Sequence, residues 1–241
     1  MTEDGDTRYI IRLARDPHDV ERAQRLRHRA FHRGAEGVDR DPFDADSLHI
    51  LVEDRRTGAL AACTRVRIFA PDCLCDSYSA QFYDLDALSH RRGPLMEIGR
   101  FCVARGQADS DILRLIWGAL TRIVDREGVE TLFGCLSFSG ADTRRHIPAL
   151  AWLGCHNILP EAMEIRARVG GAFGLRALGE LSDRRAALAA MPALLRSYLA
   201  MGGRVSSDAV IDRTLDTLHV LVAVEIATIP QARQQSLRRV A

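Results

Sequence analysis

Apolar positions along the chain alternate between a period of two and a period of about 3.6, the marks of strands and helices in succession. Tyr9 to Leu13 predicts a short strand. A helix follows, with Asp16 as its cap, Pro17 at the first helical position and Asp19 complementing the dipole of the first turn. Val20, Ala23, Leu26, Ala30 and Phe31 recur at helical spacing, so one face of that helix belongs to a core. Arg27 stands one turn before Phe31 on the same side; its charged head either snorkels to the rim or points into a cleft. After a polar loop containing Asp41-Pro42-Phe43-Asp44, the runs Leu48 to Glu53 and Ala59 to Ile68 predict two strands. Arg55-Arg56-Thr57-Gly58 is the hairpin turn between them.

Pro71 to Ser89 has no clear period. Leu95 to Ala104 then predicts a strand that carries two charges, Glu97 and Arg100. Regular alternation places residues three apart on opposite faces, whereas a bulge near Gly99 would bring them to one side. Opposite charges within an apolar strand are expensive unless paired or useful. A helix from about Asp109 to Glu127, capped by Asp109 or Ser110 and stopped by Gly128, has the stripe Ile112, Ile116, Ala119 and Ile123. Further on, Val129 to Phe138, Glu164 to Val169 and Leu218 to Ile226 predict strands. Thr143 to Leu153 and Asp183 to Met201, the latter broken at Pro192, predict helices. Helices and strands mixed around one sheet give an α/β class, and with no linker or repeat visible the 241 residues are expected to form one domain.

Composition narrows the chemistry. Thirty-three basic residues against 32 acidic ones leave a net charge of +1, so nucleic acid is not an expected partner. The sequence contains no Lys, which excludes Schiff-base chemistry and a P-loop. Cys63, Cys73, Cys75, Cys102, Cys135 and Cys155 mostly fall in apolar runs without metal-binding spacing and are expected to be buried thiols in a reducing compartment. Apolar stretches fall short of the roughly 20 residues that span a bilayer.

Arg27-x-x-x-Phe31, Asp41-x-x-Asp44, Arg65 on the third strand and Glu97-x-x-Arg100-Phe101 on the fourth together resemble the signature shared by acyl-homoserine-lactone synthases and bacterial ornithine N-acyltransferases. Longer stretches resemble the ornithine enzymes over nearly the whole chain: Ser79-Ala80-Gln81-Phe82-Tyr83, Asp111-Ile112-Leu113-Arg114, Leu132-Phe133-Gly134-Cys135, Met191-Pro192-Ala193-Leu194-Leu195 and Met201-Gly202-Gly203. Autoinducer synthases carry a Trp shortly after the first-helix Phe. Here the first Trp is Trp117, a departure that favours the lipid enzyme.

The resemblance implies a GNAT fold, a twisted mixed central sheet flanked by helices and splayed at its fourth strand, with residues from about 180 to 241 as a family-specific extension. It also implies a 3-hydroxyacyl carrier protein as donor, L-ornithine as acceptor and a lyso-ornithine lipid as product. No metal or redox cofactor is expected, the carrier's phosphopantetheine thioester being a co-substrate. Arg105-Gly106-Gln107-Ala108-Asp109 follows the usual pyrophosphate loop only loosely, which fits a donor without a nucleotide. The protein is expected in the cytoplasm, with peripheral inner-membrane contact through its amphipathic product.

Glu97 is the candidate general base, since burial raises a carboxylate's proton affinity; a structural ion pair with Arg100 is its alternative. Backbone N–H groups of Phe101, Cys102 and Val103 would receive the thioester oxygen where the implied sheet opens. Arg27 and Arg65 are candidates for the ornithine carboxylate or for organising Asp41 and Asp44. Those two Asp residues either hold the acceptor's ammonium groups or form the turn beside Pro42. Phe31 is expected in the core with one edge on the acyl chain, and Arg114, Arg122 and Arg126 on an exposed helix face suited to an acidic carrier protein. His146, His156 and His219 are expected to be structural. Two other functions stay open: an acyl-homoserine-lactone synthase, and a non-catalytic GNAT module that binds a carrier protein.

Overall fold

Two compact units emerge in the computed structural model, which describes residues 8–32, 35–107, 110–179 and 183–240. The first takes its described residues from 1–67, 98–126 and 235–241, the second from 68–97 and 127–234.

In the first unit β1 (Tyr9–Leu13) pairs antiparallel with β2 (Leu48–Asp54), and β2 with β3 (Leu60–Phe69). Gly58 takes a positive φ of 67° in the β2–β3 hairpin, and the Asp54 carboxylate accepts from the N–H groups of Arg56 and Thr57. Helix α1 (Pro17–Phe31) begins as its sequence predicts: Asp16 accepts from the Asp19 N–H, and Pro17 opens the first turn. Its Ala23 and Leu26 pack on Leu51, Cys63 and Cys102. β4 (Leu95–Val103) follows β3 in strand order, and the Thr64 hydroxyl donates to the Gly99 carbonyl at 3.0 Å. The stripe Ile112, Ile116, Ala119 and Ile123 of the later helix is buried as expected, although Asp109, its expected cap, and Ala108 lie outside the described residues.

In the second unit Leu95–Glu97 of β4 pair in parallel with Thr131–Phe133 of β5 (Thr131–Ser139). That ladder ends at Glu97, while β5 continues antiparallel to β8 (Thr217–Glu225) through Ser139. β7 (Arg204–Asp212) and the three-residue β6 (Ala172–Gly174) complete the order β4-β5-β8-β7-β6. Tyr83, Leu88, Leu95, Phe133, Ile165 and Leu221 form the centre of its core. Pro192 divides the predicted helix into Arg184–Ala190 and Ala193–Ala200, and the other predicted helix appears as Ile147–His156.

Glu164 to Val169 is not a strand. Its backbone is held singly, Ala167 N–H by the Asp208 carboxylate and Ile165 carbonyl by Ser207, with one bridge from Ala167 to Tyr83. β7 was hidden by its polar Ser206-Ser207-Asp208 stretch. There the register shifts between Val205 and Ala209, and the Ser206 hydroxyl stands in for a ladder partner by accepting from Leu221 N–H. The cysteines also depart from expectation: Cys63 and Cys102 are buried and Cys135 partly so, but Cys73, Cys75 and Cys155 are exposed. Their loops and helix end supply no apolar cover. Among the described residues, no helix is long and apolar enough to cross a membrane.

Candidate active site

Asp41-Pro42-Phe43-Asp44 folds locally into a single 3-10 turn. Asp41 accepts from the Phe43 N–H at 3.0 Å, Asp44 accepts from the Asp41 N–H at 3.3 Å, and Pro42 fixes the first position. The turn-forming role expected of these residues is therefore present. It also fixes both carboxylates for a second task.

Three guanidinium groups meet them. Arg27, 1% exposed, donates to Asp44 at 2.7 and 2.9 Å and to Asp39 Oδ2 at 2.8 Å, and also contacts the Asp39 carbonyl. Arg65 forks onto Asp41 at 2.5 and 2.9 Å and reaches Asp44 at 2.6 Å. Arg100 donates to Asp39 and Asp41, each at 3.0 Å. Gln24 adds a bond to Asp44 at 2.9 Å. Three cations thus face three anions within the first unit, a neutral network of charge-assisted bonds. Burial alone would raise the Asp44 carboxyl, but bonds from Arg27, Gln24 and Arg65 outweigh it and hold the group well below the usual carboxylate range. Desolvation pulls Arg27 down, yet Asp44 and Asp39 leave it above its ordinary value.

Arg27 therefore points inward and is neutralised there, rather than snorkelling. Asp39 is the member that sequence reasoning missed; its signal was the run Asp39-Arg40-Asp41, an extra acid before the turn. Phe31 packs against the first core cluster and lies under the Arg100 guanidinium, 5.9 Å from ring centre to carbon.

Arg100 sits at φ 52°, a left-handed backbone that costs a non-Gly residue roughly 1 kcal/mol or more. Coming directly after Gly99, it interrupts the alternation of β4, and the pairs to Asp39 and Asp41 hold it there. Arg100→Gly is expected to be more stable than Arg100→Ala by about 1 kcal/mol, because both lose the ion pairs but only Gly is relieved of the strain. Urea unfolding of the two variants measures the difference.

Glu97 belongs to the second unit and is buried at 7% exposure. Its carboxylate accepts from the Ser79 N–H at 2.7 Å, the Ser79 hydroxyl at 2.6 Å and the Tyr78 N–H at 3.0 Å. These donors come from the short 3-10 turn Ser79–Gln81 and its leading residue, in the stretch left open by the sequence pattern. They fix the carboxylate's orientation. Cys135 lies 3.5 Å from the same Ser79 hydroxyl.

Phe101 and Val103 are half-buried, and the Cys102 side chain turns into the core of the first unit, 3.5 Å from Cys63. Contact with Cys102 and burial push the Cys63 thiol up. In the loop after β4, Gly106 has φ 79° and the Gln107 side chain accepts from Tyr9 and Arg8, which commits that loop to β1. Arg114, Arg122 and Arg126 are exposed as expected.

His219, buried on β8, has its pKa pulled down to about 4 by desolvation. His49 is shifted the same way by burial. Between the unfolded value of about 6.5 and these lowered values the unfolded chain binds more protons, so stability is complete above that window and falls as the pH drops through it. For His219 the loss approaches roughly 3 kcal/mol. His219→Gln is expected to flatten this decline in urea titrations between neutral and mildly acid pH, leaving a smaller slope from His49.

The chain's residues 24–118 match the acetyltransferase (GNAT) domain family. Its fold is shared with the CoA-dependent acyl-homoserine lactone synthase BjaI, at a TM-score of 0.53 and 13% identity over 96% of this chain and 89% of that one. Mixed sheet, family match and shared fold together define a GNAT fold. The chain belongs within it to the L-ornithine N(alpha)-acyltransferase family. It is 32% identical to the Rhodobacter capsulatus member over 96% of this chain and 95% of that protein. The Brucella abortus member is 27% identical over 91% of this chain and 85% of its own length.

Proposed function

We propose that the protein transfers a 3-hydroxy fatty acyl group from the phosphopantetheine thioester of acyl carrier protein to the α-amine of L-ornithine, giving a lyso-ornithine lipid. The observation that carries this reading is the near-full-length likeness to the ornithine enzyme of R. capsulatus.

Amide formation needs a neutral amine held near the thioester carbon and a stabilised oxyanion. Glu97 takes the proton from the ornithine ammonium, directly or through water, because three donors lock its carboxylate in one orientation. The amine attacks the thioester carbon, and backbone N–H groups of Phe101 to Val103 receive the oxyanion. Collapse breaks the carbon–sulfur bond; the nitrogen gives up its second proton as the amide forms and the departing thiolate takes it, while the proton held by Glu97 passes to solvent.

Arg27, Arg65 and Asp44 organise the acceptor side without touching it, since they are the most deeply buried charged side chains of the network. Contact with ornithine falls to Arg100 and Asp41, whose side chains are 11% and 15% exposed against 1% for Arg27. Exposed Arg114, Arg122 and Arg126 meet the acidic carrier protein. The reaction takes place in the cytoplasm, and its amphipathic product brings the enzyme to the face of the inner membrane.

Purified protein supplied with 3-hydroxyacyl carrier protein tests the acceptor. Ornithine is expected to give an acylated product and S-adenosylmethionine none. Turnover of S-adenosylmethionine to a lactone would replace this reading by that of a signal synthase.

A further inference from the structure

One polar atom of the second unit has no task in the reaction as written. His219 lies opposite Ser137 of β5 and Val210 of β7, 2% exposed. Tyr83 donates its hydroxyl to the His219 carbonyl at 2.9 Å, and the same oxygen stands 3.2 Å from Nδ1. Where the tyrosine proton goes to the carbonyl, a proton on Nδ1 closes the second contact, and the neutral imidazole in that tautomer presents Nε2 as an acceptor. Nε2 is buried and meets no hydrogen-bond partner among the described residues. Buried polar atoms in native structures are nearly always bonded, so this one calls for a donor from outside the chain.

Its surroundings say what kind of molecule brings that donor. Phe82 packs edge-on to the imidazole at 4.8 Å, and Tyr78 packs on Phe82 at 5.3 Å; both rings are half-buried. Ser137, opposite His219, is exposed, and Cys135 on the same face of β5 touches the Ser79 hydroxyl that donates to Glu97. Within the second unit Ser79, Cys135 and Ser137, with the rings of Tyr78 and Phe82, thus lead from Glu97 toward His219, whose Nε2 is a buried acceptor still open. A fatty chain bearing a single hydroxyl has the complementary pattern.

We propose that Nε2 of His219 accepts a hydrogen bond from the hydroxyl of a hydroxylated acyl chain, and so selects hydroxyacyl over unsubstituted donors. This rests on the acyl-transfer reading given above. Desolvation keeps the ring neutral at physiological pH, so the acceptor form is the working one.

Purified protein and His219→Phe are assayed with ornithine and matched carrier-protein donors, 3-hydroxyhexadecanoyl and hexadecanoyl. The wild type is expected to favour the hydroxylated donor in kcat/KM by at least roughly tenfold. In His219→Phe that ratio falls toward unity, chiefly through the hydroxylated donor. Equal use of both donors by the wild type, or an unchanged ratio in the variant, overturns the role of His219 and leaves acyl transfer intact. Turnover of neither donor overturns both. Should His219→Phe not fold, nitrogen-15 NMR of histidine-labelled wild type reads the same contact. The His219 Nε2 resonance is expected to move upfield with 3-hydroxyhexadecanoyl-pantetheine and to stay with the hexadecanoyl form; a response to both alike, or to neither, overturns the proposal.

Discussion

Glu97→Gln is expected to lower kcat for ornithine acylation by roughly 10²–10⁴-fold, the range over which a positioned base accelerates proton transfer. The KM for ornithine should move little, because the acceptor's contacts are assigned to Arg100 and Asp41. The substitution has a structural cost as well. A Gln that keeps its oxygen toward the Ser79 N–H and hydroxyl turns its amide N–H toward the Tyr78 N–H, donor against donor. Melting curves therefore accompany the kinetics, and Glu97→Asp, which keeps the charge but shortens the reach, should fall between wild type and Gln. A Gln variant that folds and turns over at the wild-type rate would reduce Glu97 to an anchor for the turn at Ser79.

Arg27→Met is expected to cost about 3–5 kcal/mol of stability, the penalty for leaving buried carboxylates without their cation. For a chain of this size that is a fall in Tm on the order of 10 °C. Asp44 bears most of it, since its low pKa depends on Arg27 first and then on Gln24 and Arg65. The sign with pH follows. A carboxylate whose folded value is depressed contributes stability above its unfolded value and loses it as the pH falls toward the folded one. The wild type should therefore keep this contribution at mildly acid pH, whereas in Arg27→Met it is already missing at neutrality. Calorimetry at two pH values separates the two cases. A Met variant melting within a degree or two of wild type would mean that the network is dispensable to the fold.

Where the chain follows a simple period, its structure was legible. Asp16, Pro17 and Asp19 mark the start of α1 by local chemistry alone, and the hairpin at Gly58 needs a residue that tolerates positive φ. The Arg and Asp positions were legible as a set, but not as a network. That Arg27 would point inward depends on Asp39 and Asp44 arriving from a loop more than ten residues away, which spacing does not encode. Glu97's donors were hidden for a similar reason, because Tyr78 and Ser79 fall in a stretch without periodicity and two of the three donors are backbone N–H groups that every residue but proline possesses. The strand β7 was missed because polar Ser206 and Ser207 are buried, beside a half-buried Asp208, where a register shift gives their hydrogen-bonding groups partners. The strand predicted at Glu164 to Val169 failed in the opposite way, apolar alternation without a ladder to join.

The most direct test is a mass spectrum of lipids extracted from cells making the wild-type protein beside cells making Glu97→Gln. The wild type should yield a 3-hydroxyacyl amide of ornithine, and the variant a small fraction of it at equal protein level. No such amide from the wild type, or equal amounts from both, would contradict acyl transfer to ornithine by a base on the fourth strand.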